Sequence, residues 1–174
     1  MSKIIVIGAG KTGRGFIARL LQEAEKEIIF VDKNEELVKQ LKKEKEFEVR
    51  FFGGVRESYR VNDFTAYTWK EEGVKDVFAQ AELIFVSVGG QNLKEVGAEL
   101  SELLMPEKHY YIVTAENASK PSVVLKEAIG KENVTLLFNK TYQLLQVASA
   151  AIVTSGTATL ETALLYVPEV ICYK

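Results

Sequence analysis

Short runs of apolar, β-branched residues alternate along this chain with longer stretches in which apolar positions recur every three or four residues. The runs Lys3–Ile7 (KIIVI), Glu27–Val31 (EIIFV), Glu82–Val88 (ELIFVSV) and Tyr110–Thr114 (YYIVT) read as strands. Val134–Phe138 (VTLLF), Ala151–Thr154 (AIVT) and Glu169–Tyr173 (EVICY) follow in the same style. Most are apolar on both faces rather than alternating, the pattern of parallel strands covered by helices above and below. Between them, Gly13 to Ala24 sets Phe16, Ile17, Leu20 and Leu21 on one helical face. Asn34 is placed to cap a helix, with Glu35 and Glu36 in a first turn where the dipole favours anions. Ser119 is placed to cap a later helix, with Pro121 in its first turn and Gly130 after its end. Asn139 is placed to cap KTYQLLQVA. The stretch from Phe47 to Trp69 breaks the rhythm, with short alternating runs around Gly53 and Gly54 that suggest an antiparallel hairpin. Strand–helix alternation of this kind predicts an α/β fold: a doubly wound, mostly parallel sheet with helices on both faces and a small β-hairpin excursion.

Composition narrows the function more than the fold. A chain of 174 residues supports one domain with a sizeable core and is tight for two. With 47 % apolar and 26 % charged residues, it is neither disordered nor fibrous. Lys and Arg number 22 against 24 Asp and Glu, so there is no basic excess for neutralising nucleic-acid phosphates. The lysine-rich KQLKKEK at Lys39–Lys45 continues a helical pattern and reads as a solvated face. A lone cysteine, Cys172, excludes an internal disulfide. No apolar run is long enough for a bilayer, and the N-terminus does not have the form of a signal peptide. The expected location is therefore the cytoplasm, with no membrane partner. The single histidine, His109, falls in polar MPEKH and reads as a surface-loop residue, leaving little material for a histidine triad or a multi-histidine metal site.

The candidate chemistry gathers in KIIVIGAGKTGRGF. Gly8, Gly10 and Gly13 form G-x-G-x-x-G directly after a strand and at the mouth of a helix. The first glycine allows a tight turn, the second lets the backbone approach a pyrophosphate, and the third lets helix and strand pack closely. The loop residues Ala9, Lys11 and Thr12 complete the expected cofactor cradle, with backbone amides directed at the phosphates. Asp32 ends the second strand at the distance this fingerprint requires. A carboxylate there accepts hydrogen bonds from ribose hydroxyls and repels a 2′-phosphate, which favours NAD over NADP, although Lys33 beside it can tolerate a phosphate. Arg14 either meets a phosphate or pairs with Glu23 or another acid.

GAGKTGRGFIARLL, the FVDKN and VSVGG strand ends and the TAEN at Thr114–Asn117 together resemble the N-terminal domain of mannitol-1-phosphate 5-dehydrogenases and related polyol dehydrogenases. The resemblance covers roughly residues 1–130. It implies a Rossmann-like fold, Gly8, Gly10, Gly13 and Asp32 as cofactor ligands, and Val88 and Gly89 near the nicotinamide-side ribose. It also implies that Asn117 helps hold the substrate oxygen, a catalytic role. Glu116 is either a catalytic acid or a strand-end carboxylate bonded to loop amides. In that family a lysine from a separate helical C-terminal domain is the acid/base, and nothing after Gly130 resembles that domain. An NAD-binding module without turnover is the expectation.

Residues 133–174 carry a second resemblance. SGTATLETALLYVPEVICYK is similar to the sugar-nucleotide half of lipid-A-disaccharide synthase, a glycosyltransferase. That likeness implies a second phosphate site, with Ser155, Gly156 and Thr157 on the phosphate side and Glu161 near the nucleotide. Ser155 and Thr157 are equally good helix caps, and Glu161 equally a solvated helix residue. The expected layout is a dinucleotide-binding domain over residues 1–130 and a βαβαβ tail over 131–174 that completes the same sheet, the two parts suggesting a chimera. The alternatives are a UDP-sugar-binding fragment and a ligand-free scaffold. Trp69, Tyr110 and Tyr111 read as packing residues rather than a stacking platform, and a sheet edge or helix face offers a route to oligomers.

Overall fold

The structure is a computed structural model that describes residues 3–51, 58–116, 118–131, 134, 146, 149, 151–154 and 162–172. It divides into two compact units, residues 1–134 and 135–174.

In the first unit, β1 (Lys3–Ile7) leads into a helical segment with π geometry over Gly13–Ala18, which continues as α1 (Arg19–Glu23). Then come β2 (Glu27–Val31), α2 (Glu35–Glu44), β3 (Phe47–Val49), β4 (Tyr59–Val61) and β5 (Phe64–Tyr67). The remaining elements are α3 (Val74–Gln80), β6 (Ala81–Val86), α4 (Leu93–Leu103), β7 (Tyr111–Thr114) and α5 (Pro121–Ile129). Five strands form one sheet in the order β5-β2-β1-β6-β7, every neighbouring pair parallel. This is the order of a Rossmann-type sheet, with its switch point between β1 and β6.

The period of two along each central strand explains the continuous apolar runs. Ile5, Ile7, Ile29 and Val31 face one core with Phe78 of α3, Leu100 of α4 and Leu125 of α5. Val6, Ile28 and Phe30 face the other, with Ile17, Val38 and Leu41 from the helices after β1 and β2. Both faces are buried, so neither can carry polar residues. Phe30 and Phe64 meet edge-to-face at 5.4 Å, and Phe47 joins Phe64 at 5.4 Å, seating the β3–β4 pair against the second core.

Several expectations need correction. The excursion is smaller than the whole of Phe47–Trp69: β3 and β4 pair antiparallel, but Phe64–Tyr67 pairs parallel with β2 and extends the main sheet. Its alternating residues match an edge strand as well as a hairpin, and periodicity alone does not separate the two. Ser119 does not cap α5. Pro121 is its first residue, so the cap position falls to Lys120 in the left-handed region (φ 47°), without a side-chain bond. On β7, Tyr111 (71 % exposed) and Val113 (43 %) are not covered, so this edge strand is not apolar-buried on both faces. Asn34 does cap α2, its side chain accepting the Leu37 N–H at 3.1 Å. Gly130 ends α5 in the left-handed conformation.

In the second unit β8 (Ala151–Thr154) and β9 (Glu169–Cys172) pair parallel, Ala151 opposite Glu169 and Thr154 opposite Cys172. Thr162 and Val167 are buried in the connection between them. The expected strand after Val134 and the expected helix at 140–148, apart from Gln146, lie outside the described residues. Among the described residues no helix is long and apolar enough to cross a membrane, and no cluster of three His, Cys, Asp or Glu could hold a metal.

Candidate functional site

The parallel sheet brings the C-terminal ends of β2, β1, β6 and β7 to one edge. Backbone bonds carry the alignment past the strands: Gly8 N–H to Val31 O at 2.9 Å, Ser87 N–H to Ile7 O at 2.8 Å, and Ala115 N–H to Val86 O at 2.8 Å. In an open α/β sheet this edge, at the reversal of strand order, is where ligands bind.

The three glycines do three different jobs. Gly8 has φ +94°, and a Cβ there would stand 2.1 Å from the Ser87 carbonyl oxygen. A Cβ on Gly13 would stand 2.0 Å from the Gly8 carbonyl oxygen, so that glycine lets the helix seat against the loop. Gly10 is different: a Cβ there would meet nothing within 4 Å. Two glycines are required by the fold, while the third keeps clear a space that the fold does not fill. Clearance at the second glycine is what a pyrophosphate-binding loop of this pattern requires.

Asp32 sits at the end of β2 and links two loops. Its Oδ2 accepts the Ala9 N–H at 2.7 Å and its Oδ1 accepts the Asn34 N–H at 2.9 Å. The carboxylate therefore braces the glycine loop, and it also lines a cleft of about 140 Å³ with Gly8, Gly10 and Val88. Ionised carboxylate oxygens hold roughly four acceptor positions, so two protein bonds leave capacity for ribose hydroxyls.

Glu116 resolves one open alternative. Its Oε1 accepts the Gly89 N–H at 2.9 Å and also the Val88 N–H. It is a strand-end carboxylate that fastens the loop after β6 to the end of β7. Gly89 follows with φ +84°. Arg14 does not pair with Glu23; Arg19 does, at 2.7 Å. Four residues is the helical spacing that brings side chains together, and Arg14 is nine residues from Glu23. Lys11 and Thr12 are exposed beside Gly10, and His109 is exposed in a loop. Asn117, Ser155, Gly156, Thr157 and Glu161 lie outside the described residues.

The cleft also involves two residues, Trp69 and Lys33, whose contacts there the sequence patterns did not predict. Trp69 stacks on Phe78 (centroids 6.3 Å apart, planes at 23°) and packs against the core, as expected, and it lines the cleft as well. Lys33, just past β2, bonds Glu95 of α4 at 2.7 Å and Asn92 at 3.0 Å across the cleft wall. Its ammonium is thereby paired with an exposed carboxylate. A residue two places beyond the end of a parallel strand is the available signal for Trp69; the Lys33–Glu95 contact spans 62 positions and has no local signal.

Sheet order, glycine loop and a strand-end acid define a Rossmann-type domain. The chain belongs to the mannitol dehydrogenase Rossmann domain family, whose sequence profile matches residues 2–158. It is 36 % identical over 138 residues to the mannitol-1-phosphate 5-dehydrogenase of Caldanaerobacter subterraneus subsp. tengcongensis, covering 76 % of this chain and 36 % of that protein. The enzyme of the same name from Geobacillus stearothermophilus is 33 % identical over 156 residues, 84 % of this chain and 41 % of its own length. The chain thus spans well under half of the curated relatives it matches. Among solved structures, glycerol-3-phosphate dehydrogenase from Coxiella burnetii aligns with a TM-score of 0.56 at 14 % identity, over 99 % of this chain and 54 % of that one. Prephenate dehydrogenase from A. aeolicus, solved with NAD+, aligns with a TM-score of 0.55 at 15 % identity, over 100 % of this chain and 60 % of that one. At such identities the likeness concerns the fold.

Proposed function

We propose that the cleft at the ends of β1, β2 and β6 binds NAD(H), and that the chain is the dinucleotide-binding part of a polyol-phosphate dehydrogenase of mannitol-1-phosphate type. The observation that carries this is the open space over Gly10 between two glycines the fold itself requires. Gly8, Ala9 and Gly10, with the backbone amides of Lys11, Thr12 and Gly13, would surround the pyrophosphate, Asp32 would accept the ribose hydroxyls, and Val88 and Gly89 would stand at the nicotinamide-side ribose. NAD supplies the hydride-accepting ring when bound. The protein's own contribution is orientation: Asp32 fixes the glycine loop and Glu116 fixes the loop at Val88 and Gly89, so both edges of the cleft are held before the ligand arrives. In the complete reaction, Asn117 would hold the substrate oxygen, as the motif resemblance implies.

A second reading concerns the tail. The parallel β8–β9 pair, joined by a connection with a helical turn at 162–164, suits the nucleotide-sugar motif at Ser155–Thr157 and Glu161. Calorimetric titration of the chain with NADH, NADPH and UDP-N-acetylglucosamine tests both. The first reading expects saturable binding of NADH, weaker binding of NADPH and no heat from the sugar nucleotide. Binding of UDP-N-acetylglucosamine alone would replace it with the second.

A further inference from the structure

The glycine loop opens on two cavities. Gly10 faces the cleft with Asp32, while Lys11 and Arg14 line a separate cavity of about 590 Å³ against the β3 strand and the residues after it. The two share no lining residue. The second cavity has an aromatic wall: the Arg14 guanidinium lies 5.8 Å from the centre of the Phe47 ring, and that of Arg19 lies 5.6 Å from Phe51.

Its charges are unevenly matched. Arg19 is paired with Glu23 at 2.7 Å and Arg50 with Glu48 at 2.8 Å. The bonds that Glu48 accepts from Ser58 and Arg50 hold its carboxyl below the usual carboxylate range, which keeps that pair ionised. Lys11 and Arg14 have no ion-pair or hydrogen-bond partner among the described residues, and Arg14 Nε is buried without an acceptor. A buried donor without an acceptor is costly, and two uncompensated cations beside an apolar wall attract a compact dianion. Guanidinium favours planar, bidentate partners such as phosphate oxygens.

We propose that this pocket is a phosphate-monoester subsite, distinct from the cleft over Gly10. A terminal phosphate carries close to two negative charges at neutral pH, matching Lys11 and Arg14 together, and its oxygens satisfy Arg14 Nε. Two sources share this chemistry: the phosphate of a phosphorylated polyol and the 2′-phosphate of a phosphorylated cofactor. Assigning the polyol phosphate rests on the proposed function; the anion subsite does not.

The test is a titration of the 174-residue chain with inorganic phosphate, alone and in saturating NADH. Saturable phosphate binding is expected in both conditions, weakened on the order of ten-fold in Arg14→Met and by less in Arg14→Lys, which keeps the charge but loses the fork. Circular dichroism confirms that both variants are folded. Mannitol 1-phosphate against mannitol, and 2′-AMP against adenosine, then identify the source: the right phosphate adds affinity that Arg14→Met removes. Absence of phosphate binding, phosphate affinity unchanged in a folded Arg14→Met, or phosphate excluded by NADH would overturn the subsite. Failure of NADH to bind while phosphate still does would overturn the proposed cofactor and leave the subsite standing.

Discussion

At the residue scale, Gly8 and Gly10 look equivalent in the motif and are not equivalent in the fold. Gly8→Ala forces a Cβ into the Ser87 carbonyl at a positive φ, so it should lower stability by ~2 kcal/mol or more in denaturant unfolding. Gly10→Ala places its methyl in open space and should leave stability within about 0.5 kcal/mol while weakening NADH binding. Asp32 combines both kinds of work. Asp32→Asn keeps an acceptor for Ala9 or Asn34 but removes the charge, so the NADH over NADPH preference should narrow on the order of ten-fold, the scale of one charged hydrogen bond. Calorimetric affinities for the two cofactors measure it, and an unchanged ratio would take the discriminating role away from Asp32. The glycine spacing was legible because local sterics dictate it. The cleft role of Trp69 was not, because it depends on α3 stacking beneath the ring from outside the motif.

At the element scale, the ends of β6 and β7 are joined by one side chain. Glu116→Ala leaves the Val88 and Gly89 amides without their acceptor and should cost about 1–3 kcal/mol in thermal or denaturant unfolding. Glu116→Gln retains a carbonyl oxygen and should recover part of that loss. The start of helix α2 was legible to the residue, since Asn34 and two first-turn acids agree; Asn34→Ala should cost ~1 kcal/mol as a lost cap. The β5 strand was not, because joining β2 in parallel is a tertiary choice that its four residues do not encode. The loop after β5 is tied to α2 by Glu71, which bonds Lys42 and accepts the Thr68 N–H at 3.1 Å. Lys42 chiefly, with Thr68, holds the Glu71 carboxyl below the usual carboxylate range despite a partial opposing effect of burial. A carboxyl lowered by folding stabilises the native state above its unfolded pKa, and that stability is lost as pH falls through the folded value. Glu71→Gln should therefore flatten the acid limb of the melting-temperature profile, by no more than about 1 kcal/mol for so exposed a pair.

At the scale of the whole molecule, the two units differ in how far each can stand alone. The first has a five-stranded sheet with a core on each face. Among the described residues the second presents two paired strands, and a segment of its size falls near the limit below which a core seldom sustains folding. A peptide of residues 135–174 should show the circular dichroism of an unfolded chain, whereas a cooperative melt would make it an independent domain and strengthen the nucleotide-sugar reading. The central claim, that the space over Gly10 is built for a dinucleotide, is tested most directly by paired NADH titration and thermal melting of the parent chain and Gly10→Val. The expected result is saturable binding to the parent, no detectable binding to the variant and closely similar melting temperatures. NADH affinity unchanged in the variant, or no binding to a folded parent, would contradict it.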